Sequence, residues 1–332
     1  MPGLLQDQEQ RQSATATTSG NGSGSSQWKF LDIKELHPTF AAEASGVDLA
    51  HASEEEFQEI LAAMAKYGVL VFRDTGLSDA EHVEFSKRFG ELDGKDRSPH
   101  SPVQTPEAAN NGKDIRPYIQ GGRKPRYDFY ELFDAGNVDN DGNILQPDSA
   151  RTHYGKGNGF FHVDSSFNPR RASYSLLKAS VLPPAGTGGN TEFADTRSAF
   201  ETLPSQLKER LLNEELVGVH SLHHSRKRGS PEYFKDLNPE DYHMHRHRIA
   251  QRHEASGRVN LYVGAHMARI EPLAEEDGWA LMWSLMGWAT RPENTVSVEW
   301  RGVGDLVIWY VASNWMRCDF RCGAVGRLID VL

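Results

Sequence analysis

The 332-residue sequence has only two cysteines, Cys318 and Cys322, and both lie near its C-terminal end. Two cysteines cannot form a disulfide framework or a four-cysteine zinc site, so the protein is expected to work in a reducing compartment. The sequence also lacks a run of 18 apolar residues and lacks the basic flank and apolar core of a secretory signal peptide. We therefore expect a soluble, cytoplasmic protein without a membrane partner.

Positive charge is scarce as well. The chain carries 36 Lys and Arg against 46 Asp and Glu, a formal net charge of -10. This balance argues against binding to nucleic acid or to an anionic membrane and favours a small-molecule partner. Hydrophobic residues make up 38% of the chain, which is ordinary for a globular protein. No internal repeat is evident, so one large domain with tails is expected.

The first boundary is one of composition. Residues 1–27 include the Gly/Ser/Thr-rich stretch "SATATTSGNGSGSSQ" and contain few apolar side chains. Such a segment cannot bury enough apolar surface to offset the entropy lost on ordering, so we expect a disordered, low-complexity tail. The folded domain is predicted to span residues 28–309, and residues 310–332 are expected to form a separate tail.

Helix and strand signals follow in a clear order. Ser53 and Glu56 form the pattern of a capping box before an amphipathic run, so a helix is predicted to begin there and to end at Gly68. A buried strand is predicted at residues 69–74 and a second amphipathic helix at residues 79–90. The polar residues 91–157 are predicted to form long loops around a short strand or two.

The second half of the chain is richer in strand patterns. Strands are predicted at residues 172–183 and 259–266 and in "TVSVEW" and "GDLVIW", with helices in "RSAFETLPSQLKERLLNEE" and at residues 276–291. Pro204 interrupts the first of these helices. The pattern favours a mainly β fold with helical insertions, an antiparallel jelly roll.

The stretch "GFFHVDSSF" at residues 159–167 carries the strongest chemical signal, because it sets His162 two positions before Asp164. In a strand, residues i and i+2 point to the same face, so both side chains could reach one metal ion. With a distant histidine the pair would form the two-histidine, one-carboxylate triad that binds Fe(II) and leaves positions open. A lone H-x-D pair is weak evidence, and an exposed strand with a hydrogen-bonded His and Asp explains it equally well.

The surrounding motifs carry a more specific resemblance. "YGVLVFRD", "FFHVDSSFNPRRASYSLL", "GGNTEFADTRSAF", "SGRVNLYVGAHMARIEP" and "GDLVIW" occur in this order. In them the chain resembles the TauD/TfdA family of Fe(II)- and 2-oxoglutarate-dependent dioxygenases, closest to the 2,4-dichlorophenoxyacetate type, over roughly residues 30–309. The resemblance implies a double-stranded β-helix (jelly roll, cupin-like), the cofactors Fe(II), 2-oxoglutarate and O2, a small-molecule substrate and a homo-oligomer.

Site residues carry over by their positions in these motifs. The resemblance implies that His162 and Asp164 are iron ligands and that Thr191 binds a carboxylate of 2-oxoglutarate. Asn158 matches an asparagine near the cosubstrate or substrate, and a turn in a Gly-rich loop explains it equally well.

Two further residues are candidates for contacting the substrate. Ser166 follows the metal pair and can face the substrate, although a small polar strand residue needs no such role. Lys124, in the basic stretch "GGRKPRYDFYE", matches a region whose lysines serve an anionic substrate in relatives. The alternative for Lys124 is a solvated charged loop.

The resemblance ends after Trp309. Relatives carry the second iron-binding histidine seven residues later and an arginine for 2-oxoglutarate beyond it, whereas this chain has Met316 at that place. Arg327 matches the arginine only by coincidence of spacing. We expect residues 310–332 to be a tail foreign to the family, the closing strands to be missing and Fe(II) to bind weakly, because a thioether is a poor substitute for imidazole. Other histidines, such as His253 and His266, are expected to be packed or hydrogen-bonded.

The predicted function is hydroxylation of a small, anionic organic substrate with release of succinate and CO2. Aryloxyacetates, sulfonates, sulfate esters and xanthine are all used by relatives, and the sequence does not choose among them. The alternatives are a truncated, catalytically inactive binder and a coding sequence that retains an intron or shifts frame after Trp309. A zinc-dependent cupin-like hydrolase or isomerase is disfavoured, because it does not need the Gly-Gly-Asn-Thr motif ending at Thr191.

Overall fold

The computed structural model describes residues 27–92 and 128–318, apart from residues 130, 140 and 185, and the backbone of residues 325–331. The predicted disordered tail therefore lies outside the described residues, except for Gln27. The strands of the described chain are β1 (Asp32–Glu35), β2 (Ala42–Ser45), β3 (Val69–Phe72), β4 (Phe133–Gly136), β5 (Tyr174–Val181), β6 (Thr191–Asp195), β7 (Val217–His220), β8 (His245–Arg248), β9 (Ala250–Arg252), β10 (Val259–Leu261), β11 (Met267–Glu271), β12 (Thr295–Val298), β13 (Leu306–Tyr310), β14 (Asn314–Cys318) and β15 (Val325–Val331).

Helices are fewer and lie mainly between strands. They are α1 (Glu54–Tyr67), α2 (Asp79–Lys87), α3 (Ala150–Gly155), α4 (Thr196–Glu201), α5 (Ser205–Asn213), α6 (Leu222–Gly229) and α7 (Glu275–Ala289). The helix predicted across Pro204 is thus two helices, α4 and α5. The strand predicted at residues 259–266 is shorter, and α3 forms where only loops were expected. No helix of the described residues is long and apolar enough to cross a membrane.

The strands form one large sheet and three small ones. The large sheet has the order β1-β2-β3-β13-β5-β15-β4, with β13 antiparallel to both β3 and β5. The small sheets have the orders β12-β6-β14, β11-β7-β8 and β10-β9. The sheet-rich architecture with helical insertions matches the predicted class.

Both faces of the large sheet are buried, each against a different layer. Leu70 and Ile308 pack against the helices α1 and α2. Val71 and Val307, which alternate with them, face the core shared with the small sheets and α7. Strands buried on both faces are continuous apolar runs, as "VLVF" in β3 shows. Each such aliphatic side chain stabilises the fold by about 1.5–3 kcal/mol.

The capping signal read from the sequence is confirmed. Ser53 Oγ accepts a hydrogen bond from the Glu56 amide at 3.3 Å, and the Glu56 carboxylate accepts one from the Ser53 amide at 2.7 Å. The helix α1 ends at Gly68, whose φ of 73° lies in the left-handed region. β3 starts at the next residue, so this glycine directs the chain into the centre of the large sheet.

The prediction that the closing strands are missing is wrong. β14 pairs with β6, and β15 pairs with both β5 and β4. Trp315 in β14 is fully buried, and its indole donates to the Leu261 carbonyl at 3.2 Å. The expectation for residues 310–332 rested on the family's motifs, whereas short apolar segments such as "NWM" and "LIDV" are sufficient for strand pairing.

Gly68→Ala is expected to lower the free energy of unfolding by about 2 kcal/mol or more. A Cβ at Gly68 would lie 2.5 Å from Asn314 Nδ2 and 2.9 Å from a guanidinium nitrogen of the buried Arg197, besides adopting a positive φ. Asn314 Nδ2 is held by the Gly68 carbonyl at 3.1 Å.

The matched control for this substitution is Gly76→Ala. Gly76 also has a positive φ, 65°, but a Cβ there meets nothing within 4 Å, so it is expected to cost only about 1 kcal/mol of backbone strain. Urea denaturation of both variants measures the difference. Equal midpoints for the two variants would contradict the predicted steric contribution at Gly68.

Candidate active site

His162 and Asp164 lie side by side. His162 Nε2 is 3.3 Å from Asp164 Oδ1, and the two side chains are only 5% and 14% exposed. Around an octahedral ion with bonds of about 2.1 Å, neighbouring ligand atoms are roughly 3 Å apart. The two atoms therefore have the separation that two ligands of one metal ion require.

The orientation of both side chains is fixed by neighbouring groups. His162 Nδ1 lies 2.8 Å from the Phe160 carbonyl and donates its proton to it, so Nε2 carries the lone pair and faces Asp164. Ser175 Oγ donates to Asp164 Oδ2 over 3.5 Å, a long hydrogen bond. A backbone carbonyl on the far nitrogen is the usual way to orient a histidine that binds metal.

The local backbone differs from the prediction, because the pair does not lie on one strand. His162 makes a single antiparallel bridge with Met316, and residues 164–167 form a turn in which Ser165 has a φ of 51°. The turn, and not a strand period of two, brings the carboxylate back to the imidazole. Gly264 permits the close approach of a neighbouring segment, because a Cβ there would lie 3.2 Å from His162 Cα.

Met316 lies directly opposite His162. The two residues exchange both backbone hydrogen bonds, each at 3.0 Å, so their side chains share one face of the small sheet. The other face is marked by Arg317, whose guanidinium lies 4.7 Å from the Phe161 ring centre. Met316 is 6% exposed. The position predicted from spacing for a second iron-binding histidine is therefore next to His162 in space.

A third ligand of the usual kind is missing from the described part of the chain, which contains no group of three His, Cys, Asp or Glu side chains able to hold a metal ion. His266 comes near, with its ring centre 5.2 Å from that of His162, but it packs edge-on and shares a hydrogen bond with Ser225 Oγ at 2.9 Å. Burial holds the pKa of His266 well below its usual range. The described residues thus fit two ligands of an iron site and not the third.

Thr191 lies on the same face as Met316. It is the first residue of β6 and pairs with position 318. Phe193, two residues further along β6, pairs with Met316, so positions 191 and 316 point to the same side. Thr191 is buried, and its Oγ1 accepts a hydrogen bond from Trp300 Nε1 at 3.2 Å. A cavity shared with His162 and the role of Thr191 toward 2-oxoglutarate both stay predictions. Trp300 was not among the site residues predicted from the sequence.

Asn158 has a well-defined partner. It lies in the 3-10 turn Lys156–Gly159, and its side-chain carbonyl accepts a hydrogen bond from the buried Arg226 at 2.7 Å. The Arg226 guanidinium also lies 4.0 Å from the Tyr154 ring centre. Asn158 therefore helps to anchor the turn that precedes His162, and its predicted contact with the cosubstrate stays a prediction.

Ser166 is fully buried and shares a hydrogen bond of 3.1 Å with His220 Nδ1. His247 Nε2 donates to the Ser166 carbonyl at 2.8 Å. Burial lowers the pKa of His220 far below its usual range and that of His247 to about 4, so both imidazoles are neutral at pH 7. Ser166 is thus held by two neutral histidines, and its predicted substrate contact is untested. Lys124 lies outside the described residues.

Comparison with known proteins identifies the family of the chain. Residues 32–310 match the family described as "Taurine catabolism dioxygenase TauD, TfdA family". The chain is 33% identical to an alpha-ketoglutarate-dependent 2,4-dichlorophenoxyacetate dioxygenase of Cupriavidus pinatubonensis, covering 82% of this chain and 87% of that enzyme. It is 28% identical to an alpha-ketoglutarate-dependent sulfate ester dioxygenase of Pseudomonas putida, covering 84% and 81%.

A solved structure shows the same fold. The crystal structure of AAD-2 in complex with Mn(II) and N-oxalylglycine superposes with a TM-score of 0.77 at 30% identity, and covers 91% of this chain and 98% of that one. The family match stops at residue 310, one residue after the point where the motifs end. The chain belongs to the TauD/TfdA family of 2-oxoglutarate-dependent dioxygenases.

Proposed function

We propose that this protein hydroxylates a small, anionic organic molecule with release of succinate and CO2, on a double-stranded β-helix. The proposal rests on the largely buried pair of His162 and Asp164, whose Nε2 and Oδ1 atoms are 3.3 Å apart. Thr191 lies on the same face of the small sheet as His162. Enzymes of this family use Fe(II), 2-oxoglutarate and O2. The metal with its cosubstrate supplies the oxidising chemistry in this family.

The residues of this chain contribute orientation and packing. The Phe160 carbonyl holds His162 in the tautomer whose Nε2 accepts a metal. Thr191 offers a short hydroxyl suited to a carboxylate of the cosubstrate. Val163, between His162 and Asp164 in the chain, is 1% exposed and belongs to the main core, so apolar packing anchors the segment that carries the pair.

An anionic substrate is supported by Arg171, which shares the neighbour Tyr262 with Asp164. The Arg171 guanidinium lies 4.7 Å from the Tyr262 ring centre. Tyr262 is buried and lies close enough to Asp164 to sense its charge, and burial raises the pKa of its hydroxyl to about 12. A positive group in this region suits the carboxylate of an aryloxyacetate, or the anionic group of a sulfonate or sulfate ester.

A second candidate function rests on Met316. With a thioether opposite His162, the same cavity can bind 2-oxoglutarate or the organic anion without turning them over. The protein would then be a small-molecule binder with the fold of an oxygenase.

The deciding experiment measures succinate from 2-oxoglutarate with Fe(II) and ascorbate, in the presence of aryloxyacetates, alkylsulfonates or sulfate esters. The proposed function predicts succinate formation that one of these classes stimulates and that His162→Ala abolishes. A control, His51→Ala, changes an exposed histidine whose partner is Asp48, in the loop before α1. Binding of 2-oxoglutarate by calorimetry without any succinate would favour the binder, and neither binding nor succinate would exclude both.

A further inference from the structure

Thr191 and Trp300 form a hydrogen-bonded pair at the start of β6. Trp300 Nε1 lies 3.2 Å from Thr191 Oγ1. Thr191 is 1% exposed, and Trp300 is half-buried and packs against the main core. An indole N–H can only donate a hydrogen bond, whereas a hydroxyl both donates and accepts. The contact therefore has one direction, in which Trp300 donates and the Thr191 oxygen accepts.

This direction decides where the Thr191 proton lies. Because the Thr191 oxygen accepts from the indole, its own O–H is turned away from Trp300 and donates toward another acceptor. An ionised carboxylate has acceptor atoms only, so a hydroxyl binds it as a donor. Accepting one hydrogen bond also polarises the hydroxyl and strengthens the hydrogen bond that it donates. The indole thus prepares the Thr191 hydroxyl for a carboxylate.

We infer that Trp300 is a positioning residue, which holds the Thr191 hydroxyl in the orientation that donates to a carboxylate of 2-oxoglutarate. The inference rests on the proposed function, in which Thr191 binds that carboxylate. Trp300 acts through Thr191 and needs no contact with the cosubstrate. Such outer-shell partners fix the orientation of the groups that contact a ligand.

Backbone contacts on both sides of Trp300 keep its indole in place. Arg73 Nη1 donates to the Glu299 carbonyl at 2.8 Å, and Asp305 Oδ2 accepts from the Arg301 amide at 2.8 Å. Arg73 and Asp305 form an ion pair of 2.6 Å, in which the Asp305 side chain is only 2% exposed. A buried, paired charge is costly to separate, so the segment that carries Trp300 is held firmly.

The register of the small sheet holds Thr191 in turn. Thr191 pairs with Val298, the last residue of β12, and Trp300 follows two residues later. The Asn190 side chain, next to Thr191, donates to Ser297 Oγ at 3.1 Å. Both members of the pair are therefore fixed through β6 and β12, and the indole meets the hydroxyl without a rearrangement.

The chain offers a matched control for this pair. Trp288 on α7 donates from its Nε1 to Thr202 Oγ1 at 3.3 Å. This bond joins the same two side-chain types at nearly the same distance, but it links α7 to the residue after α4 and not to the small sheet of Thr191. Trp288→Phe therefore measures the effect of losing an indole-to-threonine hydrogen bond elsewhere in the fold.

Calorimetry with 2-oxoglutarate on the full chain tests the role of Trp300. Trp300→Phe keeps an aromatic ring and removes the N–H, and it should raise the dissociation constant about three- to tenfold, the size of one hydrogen bond. Trp288→Phe should leave the constant unchanged. Thr191→Val should also weaken binding, and adding Trp300→Phe to it should cause no further loss. Equal losses with and without the Thr191 hydroxyl would mean that Trp300 acts by packing, and would overturn the inference.

The indole resonances of the wild-type chain give a second readout, which the stability of a variant does not affect. The chain has seven tryptophans, and Trp300→Phe and Trp288→Phe each remove one indole peak from the proton–nitrogen correlation spectrum, which assigns it. Added 2-oxoglutarate should shift the Trp300 peak, because the carboxylate polarises the hydroxyl between them, and should leave the Trp288 peak in place. A Trp300 peak that does not move while calorimetry shows binding would overturn this inference alone. A wild-type chain that binds no 2-oxoglutarate would overturn it together with the proposed function.

Discussion

Met316→His is expected to raise the affinity for Fe(II) by about a hundredfold or more. The backbone of residue 316 is held by two hydrogen bonds of 3.0 Å to His162, on the face that His162 itself presents. An imidazole there would complete a set of two histidines and one carboxylate, for which Fe(II) has a far greater preference than for a thioether. Removal of an outer-shell partner alone typically costs 10–100-fold in metal affinity, and a direct ligand contributes at least as much.

From the sequence alone, Met316→His is expected to restore little activity, both because a histidine without a paired strand is not held in place and because the arginine for 2-oxoglutarate is lacking. The first of these reasons would also weaken Fe(II) binding. The structure removes this objection. β14 pairs with β6 over the whole of Asn314–Cys318, and Met316 lies opposite Phe193. The backbone that a third ligand needs is therefore present, and the substitution changes only the donor atom.

Calorimetry with Fe(II) under anaerobic conditions measures this change, and Mn(II) binding followed by electron paramagnetic resonance checks it without redox chemistry. Met316→Leu is the matched control, because it keeps the apolar volume and offers no donor. The double variant His162→Ala/Met316→His should lose the gain. If Met316→His and Met316→Leu bound Fe(II) equally weakly, position 316 would not face the metal.

The strand and helix pattern of the domain was predictable wherever local signals were strong. Ser53 and Gly68 lie at the two ends of α1 as expected, since capping is a short-range interaction between neighbouring residues. The last strands were missed, because strand pairing depends on partners far along the chain. Trp315 is buried through a contact with Leu261, which lies more than fifty residues earlier.

At the candidate site, too, short-range features were predictable and contacts between distant segments were not. His162 and Asp164 were found as a pair, because the H-x-D motif keeps them two residues apart whatever backbone links them. Their turn geometry was not predicted, since Ser165 adopts a positive φ that no local signal indicates. The partners of Asn158 and Ser166 were missed too. Arg226 and His220 come from distant segments and are brought there by packing.

Replacing the residues after Trp309 with a family-like segment that carries both the histidine and the arginine is expected to have the largest effect of all. Succinate formation should rise from the slow rate expected of the unmodified chain to rates typical of enzymes, on the order of 1 per second. Met316→His alone should stay far below this rate, because 2-oxoglutarate would still lack the bidentate partner for its far carboxylate.

Only the backbone of position 327 is described, and it pairs with Lys178 on β5. The Lys178 side chain reaches the Leu77 carbonyl at 2.6 Å and lies 3.3 Å from Asp79, so it is on the side of the large sheet that packs against α2. The replaced segment can use the strand pairing that β15 already makes.

Three chains compared in one assay separate the contributions: the unmodified protein, Met316→His and the chain with the replaced segment. We expect Fe(II) binding in the second and third, and rapid succinate formation only in the third. If the unmodified chain produced succinate at about 1 per second, the incomplete ligand set would not limit this enzyme. His266, whose ring lies 5.2 Å from His162, would then be the first residue to replace. A loss of Fe(II) binding in His266→Ala with an unchanged urea midpoint would identify it as the third ligand, since ligand loss removes metal binding while loss of packing alone lowers stability.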